Sequence, residues 1–521
     1  MSDPRFSFLD SVTGGGGASA TDLVRTTGVR VVAGDDATGT HAGQVLVYQL
    51  TTLLARLFDQ VAITGDEAAL SLPKLPGLGG PFLSALRGLL PLLRPFPESP
   101  PALETVSIVV GRSDEAGQVN LGSSGWTARF SSAKCQAVEN VSNPLGALAA
   151  GTLGAAEGFK YVFGPYLKGS YRPESYSLSL LGYGPESHPE PTLPDAIDVS
   201  ATLFGCGSIG CGLLLSILAT PQLRGELTVV DNGRFDAKNP YKYALLDWSA
   251  ATGERDKASW AEELLRAHAA DRLRMHGIVA TADAYVAGLP EDYRLPLALS
   301  AVDTVLARMQ IQDTLPRRII NAGITGTTAE VSVHGFGDGA CLACLGLHAD
   351  IESWDAKPIA DGTGLAPERV HELIRRNGQL THEDIARMGS EGRLPAATLA
   401  RLEEFLGQPL LSLWNNGAAY SQAPVQVGGA AAIQVTTAFV SAFAGVLLLA
   451  EVVKEAVPKL RRFAVASSYR QNLLGAPAQD IMVYERDTQG WCLCHSTFRQ
   501  QIYRDKYLGK SNSLASIRRN I

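Results

Sequence analysis

The stretch Ser200–Leu215, SATLFGCGSIGCGLLL, decides how the rest of the chain is read. A short apolar run ends at Gly205, and Gly205, Gly207 and Gly210 follow in G-x-G-x-x-G spacing. In such a turn the glycines permit a tight bend and a close backbone approach to phosphate, and they seat the next helix against the strand. On the following apolar run, GELTVVD, Asp231 stands 21 residues past Gly210. An acid there is placed to hold a ribose hydroxyl, with phosphates at the helix N-terminus. Glycines and acid together point to a bound nucleotide. They leave open whether it is an NAD that carries hydride or an ATP that is consumed, since the glycine spacing alone also marks plain tight turns.

The chain around this motif has 521 residues, enough for two or three domains with ample core. It is 45% hydrophobic and 19% charged, with a net charge of −7. That charge, without a lysine–arginine cluster, argues against a nucleic-acid partner. The first dozen residues, MSDPRFSFLDSV, lack an apolar segment of signal-peptide length, so a cytoplasmic protein is expected. Ala430–Val453 is long enough to span a bilayer, but its Gln434, Glu451 and small residues suit a buried helix better, and no membrane role is expected.

Outward from the motif, both flanks show α/β patterning. GVRVVAG (Gly28–Gly34) and TVSIVVG (Thr105–Gly111) predict buried strands. HAGQVLVYQLTTLLARLFDQV has helical periodicity, and Asn143–Gly164 is an alanine-rich helix. The turn after the first strand, AGDDATGTHAGQ, lacks the glycine spacing. The first half therefore reads as a nucleotide-type fold without a working phosphate loop. Leu181–Asp195, rich in Pro, Gly and Glu, is a linker candidate. Residues 346–423 are polar and helix-rich, an insertion, and an apolar helix over 430–455 follows. RRFAVASSY and DIMVYER predict late strands before the closing GWCLCHSTF.

Seven cysteines, an odd count in a large chain, disfavour a disulfide framework. Cys341-x-x-Cys344 and the later Cys492, Cys494 and His495 have the clustering of a tetrahedral structural Zn2+ site. The irregular C-x-C-H leaves Cys494 or His495 as the fourth ligand, with Cys494 favoured. Cys206 and Cys211 sit where small residues pack and read as core.

Downstream of Asp231 lie Asn239, Lys242, Lys257, Asp303 and Arg308, each near the expected end of a βα segment. The segment VVDNGRFDAKNPYKYALL resembles one of the ThiF/MoeB/ubiquitin-activating-enzyme family, with Asn239 eight and Lys242 eleven residues after Asp231. GERDKASWAEELL resembles that family's next element, a helix opened by a lysine, here Lys257. LALSAVDTVLARMQIQD resembles its D-x-x-x-x-R segment, and NAGITGTTAEVSVHGFGDGACLACLG its strand pair and first C-x-x-C. Five ordered blocks over about 150 residues are far more specific than the glycine loop.

The resemblance implies an ATP-dependent adenylating enzyme, with Asp231 on the ribose, Asn239, Lys242 and Lys257 on the phosphates, and Asp303 on Mg2+. The family has arginine and glutamine where this chain has Lys242 and Tyr243; a lysine keeps charge but loses the bidentate fork. The implied fold is α/β, two Rossmann-like adenylation-fold lobes, one degenerate, with a helical insertion and a zinc-bound tail. Its divisions would be an inactive lobe over 1–180, a linker over 181–196 and an active ATP-binding lobe over 197–345. The insertion or crossover region would span 346–425, and the return helix, strands and zinc tail 426–521.

An inactive copy fused to an active one resembles the two-lobed activating enzymes of ubiquitin-like systems, including those of bacterial antiviral-defence operons. The implied substrate is the C-terminal carboxylate of a ubiquitin-like protein, with a conjugating enzyme as a further partner and homodimerisation possible. No cysteine lies between Cys344 and Cys492, where a thioester-forming residue would be expected; Tyr420 and Ser421 stand in that loop instead, and Cys135 is a remote alternative. A peptide or small-molecule adenylyltransferase is therefore a competing reading. An NAD-dependent oxidoreductase or an inactive scaffold is a third.

Overall fold

The computed structural model describes residues 23–508 apart from internal segments, the longest being 94–101, 248–254, 349–355, 393–398, 411–421 and 426–432. Tyr420 and Ser421 lie outside the described residues. Runs of Val, Ile and Leu with both faces buried set up parallel sheets, which need helical cover on each side.

The first sheet is built from β1 (Thr27–Ala33), β2 (Gln60–Gly65), β3 (Glu104–Val110), β4 (Val119–Ser124), β5 (Thr127–Ser131) and β6 (Ser175–Ser179). Its order is β2-β1-β3-β4-β5-β6. The first four strands run parallel, and β5 and β6 turn antiparallel.

The second sheet takes β7 (Ile197–Phe204), β8 (Leu223–Val230), β9 (Leu273–Ile278), β10 (Ala298–Ser300), β11 (Ile319–Thr325) and β12 (Thr328–His334). After a separate ribbon of β13 (Gln422–Val425) and β14 (Ile433–Thr436), it gains β15 (Ser468–Asn472) and β16 (Asp480–Met482). Its order is β16-β15-β12-β11-β10-β7-β8-β9. Read from β8 to β15, this repeats the first sheet strand for strand and direction for direction. The fold is thus α/β with two Rossmann-like lobes.

Helices repeat too. His41–Leu57 follows β1 as Ser208–Ala219 follows β7. Leu145–Phe163 and Ala438–Ala456 occupy matching places before β6 and β15, each of 19 residues. Both are almost wholly buried, and they pack on one another at the centre of the molecule, with Phe159 and Phe439 rings 5.6 Å apart. Among the described residues no helix is long and apolar enough to cross a membrane.

Two expectations shift. The helix expected from 430 begins at Ala438, because the β-branched run Ile433–Thr436 pairs with β13 instead. The strand expected over 461–469 begins only at Ser468: Arg461–Phe463 is a 3-10 turn, and Val465 N–H turns aside to donate to the buried Glu451.

Residues 181–186 and 189–196 are clasped to both sheets. Glu190 accepts from Trp126 N, Thr127 Oγ1 and Ser179 Oγ, and Tyr183 stacks on Tyr469 with ring centroids 4.1 Å apart. The insertion's helices, Ala356–Thr363, Pro367–Arg375 and His382–Glu391, bury their own small core around Val370, Leu373, Ile385 and Met388.

Candidate nucleotide site and cysteine centre

In an open α/β sheet, ligands bind beyond the strands' carboxyl ends where the order of connection reverses. In the second sheet that point lies between β7 and β10, because the chain leaves β7 for β8 on one side and returns to β10 on the other. The glycine motif sits there. Gly205 adopts φ +93°, and a side chain on it would strike Ala301 O at 2.7 Å, so the turn demands glycine. A side chain at Gly210 would strike Gly205 O at 2.5 Å, which is the close helix–strand packing the spacing implies. Gly207 differs: a Cβ there meets only Tyr243 Oη, at 3.9 Å. The N-cap position ahead of Ser208 is therefore uncrowded, with no side-chain cap on the helix's first N–H groups.

Asp231 follows β8 and is half-buried. Its carboxylate accepts from Cys206 N at 2.6 Å and Gly233 N at 2.7 Å, which fixes it beside the glycine turn. Lys257 opens the Lys257–Ala269 helix and donates its backbone N–H to Gly233 O. Its ammonium lies against Gly233 and 5.9 Å from the Tyr243 ring. Asn239 is buried; its amide nitrogen donates to Asp236, while its Oδ1 finds no hydrogen-bond partner among the described residues. A buried polar atom left so is costly unless a ligand supplies the partner. Lys242 is half-buried, and its N–H donates to Asn239 O.

Asp303, three residues past β10, is exposed. Thr304, rather than Asp303, caps the Val305–Asp313 helix, accepting from Ala307 N at 3.1 Å, so Asp303 is not held by that duty. Arg308 reaches back to Val302 O.

One further neighbour is the tyrosine that follows Lys242, noted in the sequence as standing where a glutamine is expected. Tyr243 is 5% exposed, packs edge-on against Phe235, and points its hydroxyl at the glycine loop. Burial raises its phenol well above the usual value, so it is neutral.

Behind β10 runs a buried polar thread. Ser300 Oγ donates to Asn321 Oδ1, and Asn321 Nδ2 donates to Ser332 Oγ. His334 lies within 2.9 Å of Ser332 Oγ and 3.0 Å of Ala340 O. A ring nitrogen facing a carbonyl must carry its hydrogen, so Nδ1 donates to Ala340 and Nε2 accepts from Ser332. Burial lowers the His334 pKa to about 4. The thread ends one residue before Cys341.

Cys341, Cys344, Cys492 and Cys494 are all buried and have their sulfurs within 4.8 Å of one another. Four of the separations are 3.4–3.7 Å. A tetrahedral zinc bonded to each sulfur at about 2.3 Å sets sulfurs about 3.8 Å apart, so the four thiols fit that ion. His495 is turned away, its Nε2 on Asp487 O at 2.5 Å. The tail beyond is tied to the second lobe by Arg499 to Asp313, Tyr503 to Arg317 O and Tyr507 to Leu315 O.

This architecture defines an α/β protein with one glycine-loop site and one four-cysteine centre on the same lobe. Residues 28–178, β1 to the end of the first sheet, match the BilD N-terminal domain. The chain is also 30% identical over 407 residues to the uncharacterized protein y4jF of Sinorhizobium fredii, covering 76% of each. It belongs to the family it shares with y4jF. Among solved structures, it is similar to E. coli MccB with SeMet MccA: 17% identity, TM-score 0.26, covering 42% of this chain. A second MccB structure, with AMPCPP and SeMet MccA, gives 15%, 0.25 and 41%. In both the chain spans 58% of the MccB chain's length.

Proposed function

We propose that the second lobe uses ATP to adenylate the C-terminal carboxylate of a ubiquitin-like protein. The observation that carries this reading is the uncapped helix N-terminus at Gly207, with Asp231 held on Cys206 N and the Lys257 ammonium against Gly233 beside it; Asn239 and Lys242, from the segment that brings Tyr243 Oη to Gly207, and Asp303, past β10, complete the set. Asp231, held by Cys206 N and Gly233 N, accepts from the ribose hydroxyls. Asn239, through the second hydrogen of its amide nitrogen, lines the phosphates with Lys242 and Lys257, while its unpartnered amide oxygen is left to accept from a ligand donor. The two ammonium groups stabilise the charge that develops on the α-phosphate and on the departing pyrophosphate. Asp303 holds Mg2+, which supplies charge neutralisation on the triphosphate oxygens. The incoming carboxylate attacks the α-phosphorus, the bond to the bridging oxygen breaks, and an acyl-adenylate and pyrophosphate result. No protein nucleophile enters, so positioning carries the rate. The four cysteines hold a structural Zn2+ that pins the tail to the lobe.

The match of the first lobe to the BilD N-terminal domain supports the ubiquitin-like substrate, and with it a role in bacterial antiviral defence beside a conjugating enzyme. The absence of any cysteine between Cys344 and Cys492 favours transfer to an outside thiol, or a second reading in which a free peptide is the substrate. Exchange of labelled pyrophosphate into ATP separates these. Exchange that depends on a glycine-ended ubiquitin-like protein supports the first reading, and exchange with free peptide the second. No exchange, together with NAD extracted from the purified protein, would overturn both.

A further inference from the structure

Arg56 belongs to the first lobe, on the His41–Leu57 helix, yet its side chain ends in the second. It is 3% exposed. Nη2 donates to Ala244 O and one Nη1 hydrogen to Leu246 O, both at 3.0 Å, and Nη1 also donates to Pro240 O. Three carbonyls of one seven-residue segment, 240–246, thus converge on a single guanidinium from almost 190 residues away. Burial lowers its pKa only to about 10, so it remains charged at neutral pH.

Past the 3-10 turn Asn239–Tyr241 the segment is irregular backbone, and buried irregular backbone must find hydrogen-bond partners outside itself. Its inner side is met by Cys211 of the glycine-loop helix, whose sulfur accepts from Leu245 N at 3.3 Å. Its outer side is met by Arg56. The same segment contains Lys242 and Tyr243 and begins immediately after Asn239.

We infer that Arg56 is a positioning residue: the first lobe uses it to hold 240–246 in the conformation that presents Asn239 and Lys242 to the phosphates. The inference rests on the ATP reading above. It gives the degenerate lobe a task that needs no nucleotide of its own. A guanidinium suits the task because its fork spreads donors toward several acceptors in one plane, whereas an ammonium offers a point charge. Arg56 touches no reacting atom in this account, so its removal weakens the triphosphate end of the ligand and spares the nucleoside end, which Asp231 and the glycine turn hold.

The test uses the full chain as wild type, Arg56→Met and Arg56→Lys, titrated calorimetrically with MgATP and separately with adenosine. Hydrogen exchange over 239–247 and a thermal melt accompany each titration. Arg56→Met is expected to keep adenosine affinity, to lose roughly tenfold or more for MgATP, and to exchange faster over 239–247. Arg56→Lys falls between it and wild type. Equal MgATP affinity in Arg56→Met and wild type overturns the inference, and so does a parallel loss for both ligands. If Arg56→Met does not fold, Arg56→Lys decides alone: unchanged MgATP affinity and exchange overturn the positioning role. If wild type itself does not bind MgATP, the ATP reading fails, and the exchange comparison still decides whether Arg56 holds the segment.

Discussion

The two lobes share strand order and direction, so their carboxyl ends offer the same place for a ligand, and only one of them leaves it open. At the N-cap of the helix after β7 the second lobe clears its surroundings: a side chain on Gly207 would touch nothing but Tyr243 Oη at 3.9 Å, and no side chain caps the helix. In the first lobe Thr40 caps the corresponding helix, accepting from Gly43 N at 3.1 Å; the turns ahead of the two helices are alike, since a side chain on Gly34 would lie 1.9 Å from Arg112 O and one on Gly205 2.7 Å from Ala301 O. The acids differ in the same sense. Asp231 ties its own turn down from the neighbouring strand end. Asp36 stands on the turn itself and accepts from Arg112 N at 2.8 Å and Val138 N at 2.9 Å, sewing three loops together across the opening. One carboxylate shapes a site, the other fills one. The same strand scaffold underlies both lobes, and a few loop residues set them apart.

The largest expected effect exploits that difference. Asp303→Ala should cut ATP–pyrophosphate exchange by about 10²–10³-fold, the scale of losing one preorganised electrostatic partner, with an unchanged melt because Asp303 is exposed. Asp36→Ala should do the reverse. It strands the N–H of buried Val138, while the exposed Arg112 N–H turns to water, and costs on the order of 1–3 kcal/mol of stability, leaving exchange per folded molecule as in wild type. Equal loss of exchange in both variants would mean that the first lobe contributes chemistry of its own.

The central helices carry a second matched pair. Glu157–Lys160 and Glu451–Lys454 are buried i,i+3 ion pairs at 2.6 and 2.7 Å. Breaking such a pair from one side strands a buried charge, a cost of roughly 3–5 kcal/mol. Glu451 also accepts from Tyr183 Oη and Val465 N, whereas one oxygen of Glu157 lacks a partner among the described residues. Glu451→Leu should therefore lie at the top of that range and Glu157→Leu below it, read as denaturation midpoints. The opposite ranking would show that the interlobe contact of Tyr183 is not where the central stability resides.

Acid should open the second lobe first. His334 is held neutral by burial, its pKa lowered to about 4 from an ordinary 6.5. Between those values the unfolded chain binds a proton that the folded one refuses, so stability is lost as pH falls through that window, by about 3 kcal/mol at most. Hydrogen exchange at β11 and β12 should accelerate below pH 6 ahead of β3 and β4, and His334→Gln should flatten the difference. Simultaneous opening of both sheets would assign the acid sensitivity elsewhere.

Legibility in the sequence followed the range of the forces involved. Gly205 and Gly210 were readable because a positive φ and a helix packed on a turn are local demands that only glycine meets. Cys206 and Cys211 were rightly read as core from their small neighbours. The four-cysteine centre was visible as spacing, and the geometry adds that Cys494 joins it while His495 serves Asp487. The closing of the first lobe was visible only as a missing glycine pattern. Its cause needs positions 36, 112 and 138 to meet in space. Arg56 was invisible for the same reason: in LLARLFDQV it is one charge on an apolar helix, and nothing local says that its partners are carbonyls in another lobe. Tyr243, Glu451 and the Ser300–His334 thread are likewise long-range arrangements, to which periodicity is blind.

The smallest effect on the fold tests the open mouth most directly. Gly207 has φ −75° and ψ −157°, an extended geometry open to any residue, and stands at the N-cap of the Ser208–Ala219 helix. Gly207→Ala therefore meets no backbone strain, and the loss of a glycine cap for an alanine costs about 1 kcal/mol or less. Its added methyl projects toward Tyr243 Oη, into the space where phosphate oxygens would approach the helix N-terminus. MgATP affinity should then fall while the melt moves only a few degrees, and adenosine affinity should hold. If MgATP binds Gly207→Ala as it binds wild type, the phosphates do not approach over Gly207. The openness there would then be a gap in packing, and the contrast between the lobes would rest on Asp231 and Asp36 alone.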